Sequence, residues 1–352
     1  MVIIMQAGAP EEQVEAVIAA VAKAGFRPFV NPGVERKVIA LLGAMDAEKA
    51  ELVDRFSALP GVERVTLISE PYKLASRRSH PEPSIVRAGG VEIGGRAISV
   101  IAGPCSIESR EQMLEAARQV KEAGANLLRG GAFKPRTSPY SFQGLGREGL
   151  RVLAEAGRLV GLPVVTEVLH PDDLGDIVEH ADVIQIGARN MQNFRLLQEV
   201  GQTGKPVILK RHPGCRVRDL LMASEYIMLE GNANVVLCER GITTFEDATR
   251  YTFDLNAIPV IKRFSHLPVI ADPSHATGDY RYVAAVALAA IAAGADGIMV
   301  EVHPDPAVAL SDGPQSLRPD KFADLMRAAG PVAAAVGRTL GAPEPSASVR
   351  AG

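Results

Sequence analysis

Ile98-Ser99-Val100-Ile101-Ala102 runs directly into Gly103-Pro104-Cys105-Ser106, a short apolar stretch that stops at turn-forming and polar residues. A helical pattern follows over Arg110–Ala123, and Gly124 closes it. Seven more runs of the first kind succeed it: Asn126–Arg129, Pro163–Thr166, Val183–Ile186, Pro206–Leu209, Val235–Leu237, Pro268–Ala271 and Gly297–Val300. Helical stretches such as Tyr280–Ala293 separate them, with Gly161, Gly201 and Gly294 read as further helix stops. Short strands alternating with helices form a parallel sheet covered by helices. Eight units in this space predict an α/β fold of the (β/α)8 TIM-barrel type. An open doubly wound sheet is the alternative, but no G-x-G-x-x-G follows the first strand.

Upstream lies a unit of different rhythm. Val2-Ile3-Ile4-Met5 reads as a strand, and Pro10-Glu11-Glu12 opens a helix with Val14, Val17, Ile18 and Val21 on one face. Phe26–Val30 and Val34–Leu42 read as strands around the turn Asn31-Pro32-Gly33. Asp46 is placed as the cap of a second helix bearing Leu52, Val53 and Phe56, and Val62–Ile68 is the last strand. The order is βαββαβ, a ferredoxin-like arrangement. Residues 71–84, rich in Pro, Arg and His, are expected to be a linker that lets the small unit move. The predicted division is 1–70, linker 71–84, barrel 85–340 and a flexible tail 341–352, with a hairpin around Val91–Arg96 leading into the barrel.

The composition sets outer limits. Of 352 residues, 47% are hydrophobic and 22% charged, which excludes disordered and fibrous classes. Thirty-eight basic against forty-one acidic residues give a net charge of −3, so no global field favours nucleic acid or an anionic membrane. No run is long enough for a membrane span, and MVIIMQAGAPEEQ lacks the pattern of a signal peptide. Three cysteines (Cys105, Cys215, Cys238) make no disulfide framework, and the expected compartment is the cytoplasm.

In a barrel of this type the chemistry sits where the strands end. Six cations arrive there: Arg129, Lys134, Arg136, Arg189, Lys210 and Arg240. Either each pairs with a barrel carboxylate, or the unpaired set receives a heavily anionic small molecule, a sugar or enol phosphate. We expect the second. Cys105, His275, Glu301 and Asp312 come from strands one, seven and eight, adjacent in a closed barrel. One sulfur, one nitrogen and two oxygen donors suit a divalent transition metal better than Mg or Ca. Each has a plainer reading, Cys105 as a small core residue above all; their convergence carries the weight.

Ile-Ala-Gly-Pro-Cys-Ser (101–106), Arg-Gly-Gly-Ala-Phe-Lys-Pro-Arg-Thr-Ser (129–138), Gln-Ile-Gly-Ala-Arg-Asn (185–190) and Ala-Asp-Pro-Ser-His-Ala-Thr-Gly (271–278) resemble 3-deoxy-D-arabino-heptulosonate 7-phosphate synthases. The subtype resembled is the short bacterial one with a ferredoxin-like regulatory domain. The resemblance implies a metal-dependent transferase that condenses phosphoenolpyruvate with erythrose 4-phosphate, the first step of the shikimate pathway. It implies metal ligands Cys105, His275, Glu301 and Asp312 for Mn, Co, Zn or Fe, with Asp312 also beside the substrate. It sets Arg129 and Lys134 at the phosphoenolpyruvate carboxylate, and Arg189, Lys210, Arg240 and the backbone near Glu167 and Ala188 at its phosphate. Pro135, Arg136 and Thr137 match the erythrose 4-phosphate positions. Cys105, Lys134, Glu167 and His275 are the catalytic set, and the proton of the attacking water is left to Glu167, Lys134 or a metal-bound water.

The resemblance further implies a Tyr or Phe effector at residues 1–70 and a homotetramer, with no nucleic-acid or membrane partner. His212-Pro213-Gly214-Cys215-Arg216 departs from the family's Gly-Met-Ser-type loop, which leaves the conformation there open. Two rival readings stand beside this one. One is the sister synthase of 3-deoxy-manno-octulosonate 8-phosphate, which takes arabinose 5-phosphate and carries Ala-Asn-Arg where this chain has Pro135-Arg136. The other is a silent amino-acid-sensing partner, which has no need of six unpaired cations. A fused chorismate mutase, all-helical, does not suit the alternating N-terminus.

Overall fold

The computed structural model describes residues 1–32, 37–42, 49–66, 71–135 and 138–341. Gly33, Asp46, Ile68, Arg136, Thr137 and the tail from 342 onward lie outside them, so what was expected of those positions is not addressed by the structure.

The N-terminal unit has the expected order: β1 (Val2–Met5), α1 (Glu11–Lys23), β2 (Arg27–Pro32), β3 (Lys37–Leu42), α2 (Lys49–Ser57) and β4 (Val62–Thr66). Its strands lie β2-β3-β1-β4, antiparallel throughout. Alternation along β1 sorts the side chains: Met1, Ile3 and Met5 face Val14, Val17 and Val21 of α1 and Phe56 of α2. Val2 and Ile4, with Val38 and Ala40, belong instead to the cluster that includes Tyr72, Leu74 and the barrel's outer core.

A hairpin of β5 (Val86–Ala88) and β6 (Val91–Ile93) precedes the barrel. Eight parallel strands follow: β7 (Ala97–Gly103), β8 (Leu127–Arg129), β9 (Val164–Val168), β10 (Val183–Ile186), β11 (Val207–Lys210), β12 (Val235–Glu239), β13 (Val269–Ala271) and β14 (Gly297–Glu301). Pairing of β14 with β7, from Gly297↔Ser99 to Glu301↔Gly103, closes the ring. Helices α3 (Arg110–Glu122), α4 (Arg147–Val160), α5 (Leu174–His180), α6 (Phe194–Gln202), α7 (Val217–Met228), α8 (Ala257–Phe264), α9 (Pro273–Thr277), α10 (Tyr280–Ala292) and α11 (Pro319–Ala335) complete the units. A short β15 (Thr339–Leu340) joins β7, so the barrel's contacts run to Gly341, whose N–H donates to the Ile98 carbonyl.

Ile101, Leu127, Val165, Ile208, Val236 and Met299 fill the barrel, and Val86, Ala88 and Ile93 of the hairpin plug its N-terminal end in the same cluster. That leaves the C-terminal rim as the open end. Gly124, Gly161 and Gly294 take positive φ past their helices, as expected. Gly201 does not stop a helix. It lies within α6, where a Cβ would come 2.7 Å from the Ile227 carbonyl, so it permits α6 to press on α7, and Gly204 is the residue of positive φ beyond that helix.

The linker expectation needs correcting. Residues 71–84 are fastened to the barrel. The buried Glu225 carboxylate on α7 accepts from Lys73 N (3.0 Å) and Ala75 N (2.7 Å). Arg77 N donates to the Phe264 carbonyl, and Ser84 N to that of His266. The His266 ring bridges Ser84 Oγ (2.7 Å) and the Leu74 carbonyl (2.7 Å). The polar residues that suggested a solvated tether are the ones that satisfy this strap's buried backbone.

Candidate active site

The strands deliver their last residues to one cavity of about 510 Å³, lined among others by Lys134, Glu167, Arg189, Lys210, Arg240 and His275. Such a size suits small-molecule sites.

At its floor, one donor atom each from Cys105, His275, Glu301 and Asp312 lie within 4.8 Å of one another. Cys105 follows β7, Glu301 ends β14, and His275 lies on α9, set by the N-cap of Asp272, whose Oδ1 accepts from His275 N at 3.0 Å. Asp312 stands at φ 51, the one positive-φ non-glycine among the described residues, in a loop tied to β7's end by Ser311 and Ser106 (Oγ to Oγ 2.6 Å). Such strain is retained where surrounding contacts fix it.

The donor set fits a cation. Cys105 Sγ is 2.9 Å from Asp312 Oδ2, and His275 Nε2 is 3.3 Å from Glu301 Oε1. Glu301 Oε1 is buried without a hydrogen bond. Asp272 Oδ2 lies 2.8 Å from His275 Nδ1; the contact is an ion-pair approach without the alignment of a hydrogen bond, but it favours the proton on Nδ1 and leaves Nε2 as a lone-pair donor. Burial, and then the charge of Glu301, push the Cys105 thiol up to about 12, against the pull of Lys134. A cation among these lone pairs would relieve each of those tensions, and separations under 4.8 Å suit donors 2.0–2.3 Å from one ion.

The cations are less free than expected. Arg129 is buried with Nη1 3.2 Å from Glu301 Oε1, and Lys210 Nζ is 2.6 Å from Asp272 Oδ2. The six-unpaired-cation reading therefore fails for these two. Burial works to lower the pKa of Arg129, but Glu301 and Cys105 outweigh it, so it stays charged. Lys134 is likewise buried yet held above the ordinary lysine value, chiefly by Cys105 and Glu167; its Nζ donates to the Cys105 carbonyl (3.0 Å) and Sγ (2.9 Å). Arg189 donates to the Pro135 carbonyl at 3.0 Å, and Arg240 lies over the Tyr251 ring, 4.7 Å from its centroid. Neither has a carboxylate at salt-bridge distance among the described residues. Glu167 accepts from Gln185 Nε2 at 3.0 Å and is so close to Gly187 that a Cβ there would overlap its Oε1.

Several supporting residues escaped the sequence reading. Asp272 lies inside the Asp-Pro-Ser-His run, three residues before His275, and that spacing at a helix start was the available signal. Gln315 donates to Glu301 Oε2 at 2.7 Å and accepts from Arg250 at 3.0 Å. Arg211 is spent on Glu239 and Asp254, both at 2.8 Å. No sequence pattern flags the last two sets. His212, Thr243 and Arg250 also line the cavity.

A barrel with a metal-type cluster beside an anion-receiving cavity is a class of phosphorylated-substrate enzyme. The chain belongs to the DAHP synthetase I family, whose model matches residues 78–334, while the DAHP synthase ferredoxin-like domain matches residues 1–70. The phospho-2-dehydro-3-deoxyheptonate aldolase of Thermotoga maritima is 47% identical over 337 residues, covering 96% of this chain and 99% of the relative. The crystal structure of the Thermotoga maritima enzyme superposes with a TM-score of 0.77 at 46% identity, covering 97% and 99% of the two chains. A 2-dehydro-3-deoxyphosphooctonate aldolase of Syntrophobacter fumaroxidans is 36% identical over 255 residues, covering 67% of this chain and 88% of the relative.

Proposed function

We infer that the cavity holds two phosphorylated substrates in separate anion pockets beside one divalent transition metal. The chain catalyses the condensation of phosphoenolpyruvate with erythrose 4-phosphate and water, giving 3-deoxy-D-arabino-heptulosonate 7-phosphate and inorganic phosphate, the first step of the shikimate pathway. The observation that carries the reading is the juxtaposition of the Cys105, His275, Glu301 and Asp312 cluster with Lys134, Arg189, Lys210 and Arg240 around one cavity.

A metal held by those four residues would supply Lewis acidity for the aldehyde oxygen. Arg129 and Lys134 orient the phosphoenolpyruvate carboxylate; Arg189, Lys210 and Arg240, with the backbone of Ala188, hold its phosphate. Pro135, Arg136 and Thr137 hold the aldose. Fixing both anions within reach of each other supplies at best about 7–11 kcal/mol of the barrier. C3 of phosphoenolpyruvate attacks the aldehyde carbon, C2 gains positive character, and water adds there. The resulting hemiketal phosphate breaks its C–O bond and releases phosphate. Glu167 is the chain's own acceptor for the water's proton; Lys134, held above the ordinary lysine value, keeps its own.

The metal is Mn, Co, Zn or Fe in this reading, because a thiolate is among the ligands. Residues 1–70 bind Tyr or Phe as an effector, the subunits form a homotetramer, and the enzyme works in the cytoplasm. Among the described residues no helix is long and apolar enough to cross a membrane. The deciding experiment is turnover with erythrose 4-phosphate and with arabinose 5-phosphate side by side, with and without chelator. Preference for the five-carbon sugar, or undiminished turnover in chelator, would overturn the reading.

A further inference from the structure

The loop after β11, His212-Pro213-Gly214-Cys215-Arg216, borders the active cavity. His212 lines that cavity two residues beyond Lys210, and Pro213 and Thr243 line it alongside. Four contacts hold His212 and Pro213, one of them from Cys215 N to the His212 carbonyl at 3.0 Å. His212 N donates to Met191 Sδ at 3.2 Å, Gly214 N donates to His212 Nδ1 at 3.1 Å, and Thr243 N donates to the Pro213 carbonyl at 3.0 Å. The contact from Gly214 N fixes the chemistry of the ring. An Nδ1 that accepts from a backbone N–H carries no proton, so in the neutral imidazole the hydrogen sits on Nε2. His212 therefore keeps an Nε2–H without a hydrogen-bond partner among the described residues, on a ring fixed at Nδ1, in a cavity lining it shares with Lys210, Arg189 and Arg240.

We propose that His212 Nε2–H is a further donor to the phosphate of phosphoenolpyruvate, alongside Arg189, Lys210 and Arg240. This rests on the reading of those three cations as that phosphate's pocket. The ring gives direction where the cations give charge: an imidazole N–H donates along one line, whereas a lysine ammonium on a flexible stem does not. The role is in binding and specificity, so its loss falls on the substrate that carries this phosphate and not on the aldose.

Three variants of the full chain separate this role from a purely structural one. His212→Asn keeps an oxygen for Gly214 N–H in an Asx-type turn but ends short of Nε2. His212→Gln reaches farther with an amide N–H, and His212→Ala removes both functions. Calorimetric titration with phosphoenolpyruvate, KM for each substrate and thermal unfolding are measured on all three and on wild type. His212→Asn is expected to unfold at the wild-type temperature and to bind phosphoenolpyruvate roughly 10-fold more weakly, as for one hydrogen bond to a charged group, with the KM for erythrose 4-phosphate within about 2-fold. His212→Gln is expected to recover part of the loss. If His212→Asn binds like wild type while His212→Ala is weak, the ring only closes its loop and the proposal is overturned. An equal rise in both KM values, or no recovery in His212→Gln, overturns it too. Failure of wild type itself to bind phosphoenolpyruvate would instead remove the underlying pocket assignment.

Discussion

Replacing Asp272 by Asn tests whether the metal cluster and the cationic pocket are one electrostatic unit. Asp272 is fully buried, with Lys210 Nζ at 2.6 Å, His275 Nδ1 at 2.8 Å and the His275 backbone N–H at 3.0 Å. Burial alone would raise its pKa, but the His275 and Lys210 charges overcome that and hold it well below the ordinary carboxylate value. Asn is nearly isosteric and can keep the N-cap bond, so the change is mainly in charge and proton placement. Lys210 is left as a buried cation without its partner, a loss of about 3–5 kcal/mol. The amide N–H₂ turned toward Nδ1 moves the imidazole proton to Nε2, the atom facing Glu301, and costs about 10–100-fold in metal affinity. Denaturant unfolding of metal-free protein reads the first effect, and competition with a chromophoric chelator for Zn or Co reads the second. An Asp272→Asn protein that holds metal as tightly as wild type would refute the orientation argument. One that unfolds within about 0.5 kcal/mol of wild type would refute the ion-pair argument.

Chelator is expected to abolish turnover, with Mn, Co, Zn or Fe restoring it better than Mg, and Cys105→Ser to weaken metal binding without unfolding the barrel; full activity of a metal-free preparation would contradict both. Arg189→Ala should raise the KM for phosphoenolpyruvate more than that for erythrose 4-phosphate, and Arg136→Ala should do the reverse; equal effects would mean a single shared pocket. Burial lowers the pKa of His266 to about 3, so between pH 6.5 and 3 the unfolded chain takes up a proton that the folded one refuses, and stability drops as pH falls. By pH 5 that amounts to about 2 kcal/mol, and unfolding curves of wild type and His266→Gln at pH 7 and pH 5 should show a steeper acid loss in wild type. A chain starting at Pro71 should keep turnover and lose any response to Tyr and Phe. One starting at Ser84 should also lose stability, since Glu225 and His266 forfeit their partners; an intact enzyme indifferent to aromatic amino acids would end the regulatory reading.

The fold was legible because barrel strands are short and apolar, and each ends at a polar break. Val183–Ile186 is the observed β10 to the residue, and Gly297–Val300 falls one short of β14. The meeting of Cys105 with Glu301 was legible for a related reason: barrel closure makes the ends of β7 and β14 neighbours although some two hundred residues separate them. Pairing was not legible. Nothing in the local sequence says that Lys210 meets Asp272, because the partners lie on different strands and the side-chain reach across the barrel mouth decides it. The strap 71–84 misled because Pro, Ser, Arg and His are solvated in most contexts. Here a buried carboxylate and a neutral imidazole receive its backbone groups instead. Gly201 misled in the opposite sense: a glycine late in a helix looks like a stop, whereas this one makes room for Ile227.

Those unforeseen pairings change how the site must work. Glu301 is at once a donor of the metal cluster and the partner of Arg129 at 3.2 Å, while Asp272 is at once the orienter of His275 and the partner of Lys210 at 2.6 Å. Each carboxylate therefore stands between the metal position and a cation assigned to phosphoenolpyruvate. A dication held beside Glu301 would offset the charge that Arg129 balances at 3.2 Å, and would leave the guanidinium freer for an incoming anion. Without a metal, a substrate anion at those two cations would compete with the protein's own carboxylates for them. If Arg129 and Lys210 receive phosphoenolpyruvate as proposed, the two binding events would be coupled favourably, and by linkage reciprocally: phosphoenolpyruvate would tighten metal binding by the same factor that metal tightens phosphoenolpyruvate. A silent sensing scaffold has no use for such an arrangement. The buried pairs Arg129–Glu301 and Lys210–Asp272 instead keep two of the pocket's cations balanced in the folded chain before either partner arrives.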